Sequence, residues 1–208
     1  MTRRTREVRR GLTTVELILA LAITGLVGAA MSGMMHAVAV GVSDRGDTRS
    51  IMVRTATAQA RLNAYLAPSR CVLSQSGANL VIWLEDSRKT ETVHASELRW
   101  IRFDADAGTV SVEFVKLPDA WTVTARELED AECSMNSDWE AVRTKYQTGG
   151  HLKSLRLLDQ VQAMSVALDQ ADPIDSRRVS VSIDFETSTG VEPALVESIL
   201  RLHQAPMR

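Results

Sequence analysis

The chain has 208 residues, 45% of them hydrophobic and 24% charged, with 24 Lys or Arg against 26 Asp or Glu and a formal net charge of −2. That composition excludes a disordered chain, and the length suits one domain with or without an anchor. The near-neutral balance supplies no global basic footprint for nucleic acid.

The charge is uneven. Residues 1–11 hold Arg3, Arg4, Arg6, Arg9 and Arg10 against Glu7 alone; without them the chain keeps 19 basic and 25 acidic groups, near −6. From Leu17 to Val42 there is no Asp, Glu, Lys or Arg. As helix those 26 residues reach about 39 Å, more than the ~30 Å hydrocarbon core of a bilayer. Arginines ahead of the run hold that end in the cytoplasm and send the remaining chain outside. On the residues alone three readings stand: a secretory signal cut after Ala30 in "VGAA", a cut between Gly11 and Leu12 that retains the apolar helix, and an uncut signal anchor. Glu16 at the threshold of the run is unexplained by the first and third, because a carboxylate near hydrocarbon needs a partner.

Gly11, Leu12, Glu16 and the apolar run "LILALAITGLVGAAMSGMM" that follows resemble the processing and methylation motif of type IV prepilins and type II secretion pseudopilins. Leu12 stands where phenylalanine is usual, and polar Thr14 where an apolar residue is commoner. The resemblance implies cleavage after Gly11 by a membrane prepilin peptidase, N-methylation of Leu12, and pairing of Glu16 with the Leu12 amine of a neighbouring subunit. Breaking such a buried pair by removing one partner typically costs ~3–5 kcal/mol. The implied partners are other pilins or pseudopilins and an inner-membrane assembly platform driven by a separate cytoplasmic ATPase. The implied place is a single-pass cytoplasmic (inner) membrane protein whose head is extracytoplasmic.

Residues 12–42 thus read as the transmembrane or filament-core helix and 43–67 as its amphipathic continuation. In the latter, Ile51, Ala58, Leu62 and Tyr65 recur at helical spacing and Pro68 closes the run. Gly33 and "GVSDRGD" around Gly46 are weak points where that helix could break. Residues 68–208 read as a β-rich head. "NLVIWL" (79–84) suits a buried strand, and "ELRWIRF" (97–103) with "TVSVEFV" (109–115) a hairpin. Residues 157–168 fit helical or strand spacing, with a strand favoured after about Val161. "RRVSVSIDFET" (177–187) alternates cleanly, and 195–202 make a last strand. Residues 118–152, with Trp121, Trp139 and Tyr146, read as an insertion that is either a partner surface or a packed excursion. The expected fold is α+β, a long N-terminal helix packed on an antiparallel sheet, pilin-like in the sense of the resemblance. Size and the C-terminal pattern resemble W-type minor pilins and J-type pseudopilins.

No catalytic constellation, cofactor motif or metal-ligand spacing is present, so the chain reads as a non-enzyme. Cys71 and Cys133 are candidates for a disulfide in an oxidising compartment, or else two free thiols. His36, His94, His151 and His203 are scattered. The acidic run Glu127, Glu129, Asp130 and Glu132 reads as a solvated helix face or loop, without calcium-ligand spacing. Gly149-Gly150 lacks the lysine of a phosphate cradle. Beside the assembly subunit stand two rivals: a tip module that captures DNA or a surface, which the acidic body disfavours for DNA, and a secreted protein with a conventional signal peptide.

Overall fold

The computed structural model describes residues 14–187 and 190–207, apart from the side chains of residues 36–50. The leader 1–11, Gly11, Leu12 and the ring of His36 lie outside these. The chain divides into two units after Thr48. Helix α1 (Thr14–Leu66) runs unbroken in its backbone through Gly33 and Gly46, so neither weak point interrupts it. It ends two residues before Pro68, where the residue preceding proline leaves helical space.

The unit that begins at Arg49 is built on antiparallel strands: β1 (Cys71–Ser76), β2 (Asn79–Trp83), β3 (Val93–His94), β4 (Leu98–Asp104), β5 (Thr109–Val115), β6 (Glu132–Cys133), β7 (Leu152–Leu158), β8 (Val161–Leu168), β9 (Arg178–Thr187) and β10 (Gly190–Ile199). They form a five-stranded sheet ordered β1-β2-β4-β5-β7, a three-stranded sheet ordered β10-β9-β8, and a ribbon of β3 with β6. Two short helices, α2 (Val123–Glu129) and α3 (Trp139–Thr148), lie between β5 and β7 together with β6.

The central strands of the five-stranded sheet are buried on both faces, while β7 at its edge is largely exposed. On one side Leu80, Ile82, Ile101, Val110 and Val112 join Ala58, Leu62 and Leu66 of α1 and the inner row Val179, Val181, Ile183 and Phe185 of β9. On the other side Val81, Trp83, Leu98 and Trp100 meet Trp139, Tyr146 and Cys133 from the segment between β5 and β7. Double burial explains why "NLVIW" is apolar at every position after Asn79 rather than alternating.

The ambiguity at 157–168 resolves as two strands in different sheets. Gln160 takes a left-handed φ of 57° between them, and a β-bulge at Val161–Ala163 shifts the register of β8 against β9. The extra residue makes Val161 and Met164 both face inward at a spacing of three, which imitates a helix. A second correction concerns the last strand, which begins at Gly190 rather than 195. Pro193 is tolerated inside it because β10 is an edge, where no ladder bond requires its missing N–H. The β1 edge of the larger sheet is covered by the short 3₁₀ turn Pro173–Asp175. The C-terminal segment runs beside it, its Arg201 and Gln204 N–H groups donating to the carbonyls of Ala67 and Arg70.

Candidate functional site

Thr14–Met35 is 22 residues with a mean hydropathy of 2.0 and none of it buried. Its apolar side chains are exposed around the whole helix, from Val15 and Leu17 to Met34 and Met35, rather than along one stripe. That is not the single apolar stripe of a helix packed on one side against a core. At 1.5 Å per residue it reaches about 33 Å, enough for a ~30 Å core. The Thr24 hydroxyl donates to the Ala20 carbonyl at 2.7 Å, so its polar group is satisfied within the helix. The stretch is therefore long and apolar enough to cross a membrane; a signal sequence has the same character. Glu16, the acidic residue of the first turn, lies where the helix dipole favours negative charge.

In the other unit, the segment between β5 and β7 is anchored by polar groups. Asp138 caps α3, its carboxylate accepting from the N–H groups of Glu140 and Ala141. Tyr146 donates to the Glu129 carbonyl at 2.6 Å and accepts from the Ala131 N–H at 2.9 Å. Burial pushes its phenol up to about 12. Arg143 forms a two-pronged pair with Glu113, Nη2 lying 3.0 Å from Oε1. Asp130 accepts from the Ser96 N–H and hydroxyl, both at 2.8 Å, and pairs with Arg88 at 3.0 Å.

Asp130 is a correction to the sequence reading: it is buried, although Glu127 and Glu132 in the same run are exposed. The segment is a packed excursion at α3, whereas α2 leaves Leu128 83% and Val123 70% exposed. Gly149-Gly150 terminates α3, Gly150 adopting the left-handed φ of 75° that glycine accommodates after a helix.

Sequence reasoning missed Glu97, which it placed at the start of a strand. The residue closes a 3₁₀ turn (Ala95–Glu97) and is 1% exposed. Its Oε1 accepts from the Ser87 N–H at 2.6 Å, the Ser87 hydroxyl at 2.8 Å and the Arg88 N–H at 3.3 Å. Its Oε2 accepts from the Trp83 indole at 3.0 Å and the His94 N–H at 3.2 Å.

Cys71 and Cys133 are both buried, unbridged thiols in the core beneath α3. Burial pushes Cys71 up to about 12. Burial, then Asp130, pushes Cys133 up to about 11. The histidines stay apart: His94 is buried with neither ring nitrogen bonded, His151 sits edge-on to Trp121 at 5.1 Å, and His203 Nε2 lies 2.8 Å from the Ile174 carbonyl. Among the described residues no three His, Cys, Asp or Glu are placed to hold a metal. No protein-family model and no curated protein matches the chain.

Proposed function

We propose that this protein is a structural assembly subunit, a minor pilin or pseudopilin, inserted in the cytoplasmic membrane with its head outside and polymerised through α1. The observation that carries the reading is the coincidence of a basic leader ending at Gly11, Leu12 after it, and Glu16 in the first turn of a helix whose next 19 residues are uncharged. Cleavage after Gly11 frees an amine four residues from the Glu16 carboxylate. The amine of a subunit already in place then presents a positive charge to the Glu16 of the next one, and each neutralises the other at a depth where neither is well solvated alone. That pairing fixes axial register. A conventional signal sequence accounts for the hydropathy equally well, but it gives Glu16 no role.

Mass spectrometry of the membrane-extracted chain tests this. The expected N-terminus is methylated Leu12, whereas a start at Met31 refutes the reading. Glu16→Ala should be cleaved normally yet recovered in filaments at a small fraction of the native level. Incorporation equal to that of the native chain removes the pairing mechanism.

A further inference from the structure

We propose that the stretch Leu152–Arg156 of β7 is an interface between two copies of this chain, paired antiparallel and edge to edge about a two-fold axis at Ser154. This rests on the second unit alone and is independent of the filament reading. An unpaired strand edge is a liability that folded chains close, and the other edges of the two sheets are closed. The Leu200 N–H donates to the Arg177 carbonyl at 2.9 Å, which sets the parity of β10: its odd-numbered residues turn their backbone groups away from β9. Of these, Pro193 has no N–H, and the Glu197 carbonyl accepts from the Gln59 amide at 3.1 Å. On β8 the Val166 carbonyl accepts from Gln75 at 3.3 Å. The β1 edge lies under the 3₁₀ turn Pro173–Asp175. On β7 the Lys116 N–H donates to the His151 carbonyl at 2.8 Å, so Lys153 and Leu155 bond to β5 while Leu152, Ser154 and Arg156 turn N–H and C=O outward. Arg61 takes the Leu157 carbonyl. Among the described residues nothing bonds to the outward backbone groups of the other three, and Lys153 to Arg156 are exposed on both faces.

The sequence of the open stretch, "LKSLR", selects the occupant. Outward residues of one strand must meet outward residues of the other, so a two-fold axis passes through a residue of β7. An axis at Lys153 sets that ammonium directly against its own copy, and an axis at Arg156 does the same to the guanidinium; like charges directly opposite are destabilising. An axis at Leu155 moves the contact onto Leu157, whose carbonyl Arg61 already holds. An axis at Ser154 engages all three outward residues of each strand. Ser154 then faces Ser154, Leu152 faces Arg156, and Lys153 faces Leu155, a side chain left 51% exposed. Each cation lays its methylene stem along a leucine and keeps its charge in water. A patch that pairs with itself closes on two copies.

Oxidative cross-linking of the full chain in detergent tests it. A hydrogen-bonded antiparallel pair holds its Cα atoms about 5.5 Å apart, within disulfide reach. Ser154→Cys should therefore run at twice the chain mass on a non-reducing gel after mild oxidation. Lys153→Cys, also exposed, should stay at the mass of one chain because it faces Leu155; mixed with Leu155→Cys it should give the doubled band. The native chain, whose Cys71 and Cys133 are buried, is the blank. Unchanged tryptophan fluorescence verifies that each variant is folded. Ser154→Cys that stays single, or that cross-links no more than Lys153→Cys alone, overturns the proposal. A head-to-tail filament contact relates unlike surfaces and cannot join Ser154→Cys to itself, so the result is distinct from the fate of the filament reading.

Discussion

Replacing Glu97 by Gln asks whether one buried carboxylate organises the loop between β2 and β3 against the large sheet. The side chain keeps its volume, so no cavity opens, but one acceptor oxygen becomes an NH₂ group that can only donate. If the nitrogen takes the place of Oε2, the Trp83 indole and the His94 N–H lose their acceptor; in the place of Oε1 it displaces three donors. The first orientation is therefore preferred and leaves two buried donors unsatisfied. At about 1–3 kcal/mol each, with partial relaxation of the 84–92 loop, the loss is about 3 kcal/mol. Urea unfolding of the full chain, followed by the fluorescence of the buried Trp83 and Trp100, would read this as a midpoint lower by roughly 1–3 M at a slope of ~1–3 kcal/mol/M. Trp83→Phe removes one of the two orphaned donors, so the double variant should lose less than the sum of the singles by about 0.5–3 kcal/mol. A loss below about 1 kcal/mol for Glu97→Gln at unchanged slope, or strict additivity in the cycle, refutes the account of Glu97 as the acceptor hub.

The same unfolding assay should separate α1 from α2: Leu62→Ala, at a fully buried position of the first core, lowers stability by about 3 kcal/mol, while Leu128→Ser, 83% exposed, stays within about ±0.5 kcal/mol. The two raised thiols set the alkaline behaviour. Both remain neutral in the folded chain while thiols of the unfolded chain ionise around their ordinary value of 9.0. Their contribution is complete below that pH and falls as pH rises toward 11, so the urea midpoint should decline over that window. Maleimide should leave native Cys71 and Cys133 unmodified at neutral pH and label both after unfolding without reductant; failure to label the unfolded chain would show a bridge.

Much of the fold was legible because apolar periodicity records burial directly. The stripe at Ile51, Ala58, Leu62 and Tyr65, of which Ala58 and Leu62 are fully buried and the other two pack at the margin, the stop at Pro68, the hairpin of β4 and β5 and the alternation of β9 all follow from side-chain types whose burial is favourable wherever it occurs. Beyond the two-residue strands β3 and β6, two strands escaped for local reasons. β1, "CVLSQS", changes its inward parity at a bulge, so its pattern looks like neither strand nor helix, and half of β7, "LKSLRLL", is exposed. At β8 the bulge did the opposite and produced a false helical spacing. An inserted residue costs the sequence no special letter, so bulges of this kind are invisible to periodicity.

The polar anchors escaped for a different reason. A carboxylate in a sequence is by default a solvated group, and nothing next to Glu97 or Asp130 distinguishes them from exposed Glu127 or Glu132. What differs is the donor supply, gathered from a preceding loop within 14 residues for Glu97 and from far along the chain for Asp130. Glu97 draws on Trp83, Ser87, Arg88 and His94; Asp130 draws on Ser96 and Arg88, 34 and 42 residues away. Arg88 serves both, its backbone N–H to one carboxylate and its guanidinium to the other. Each carboxylate is tolerable only when the chain that carries its donors is already in place, so this corner of the fold forms as a unit. The sequence marks of such a unit are turn residues and charges, "EDSRKTETV" and "ELEDAEC", the second of which reads as a solvated helix face or loop. The first core could be seen residue by residue; the junction with the second could not, because there a carboxylate is stabilised by backbone and side-chain donors that only the folded loop brings to it.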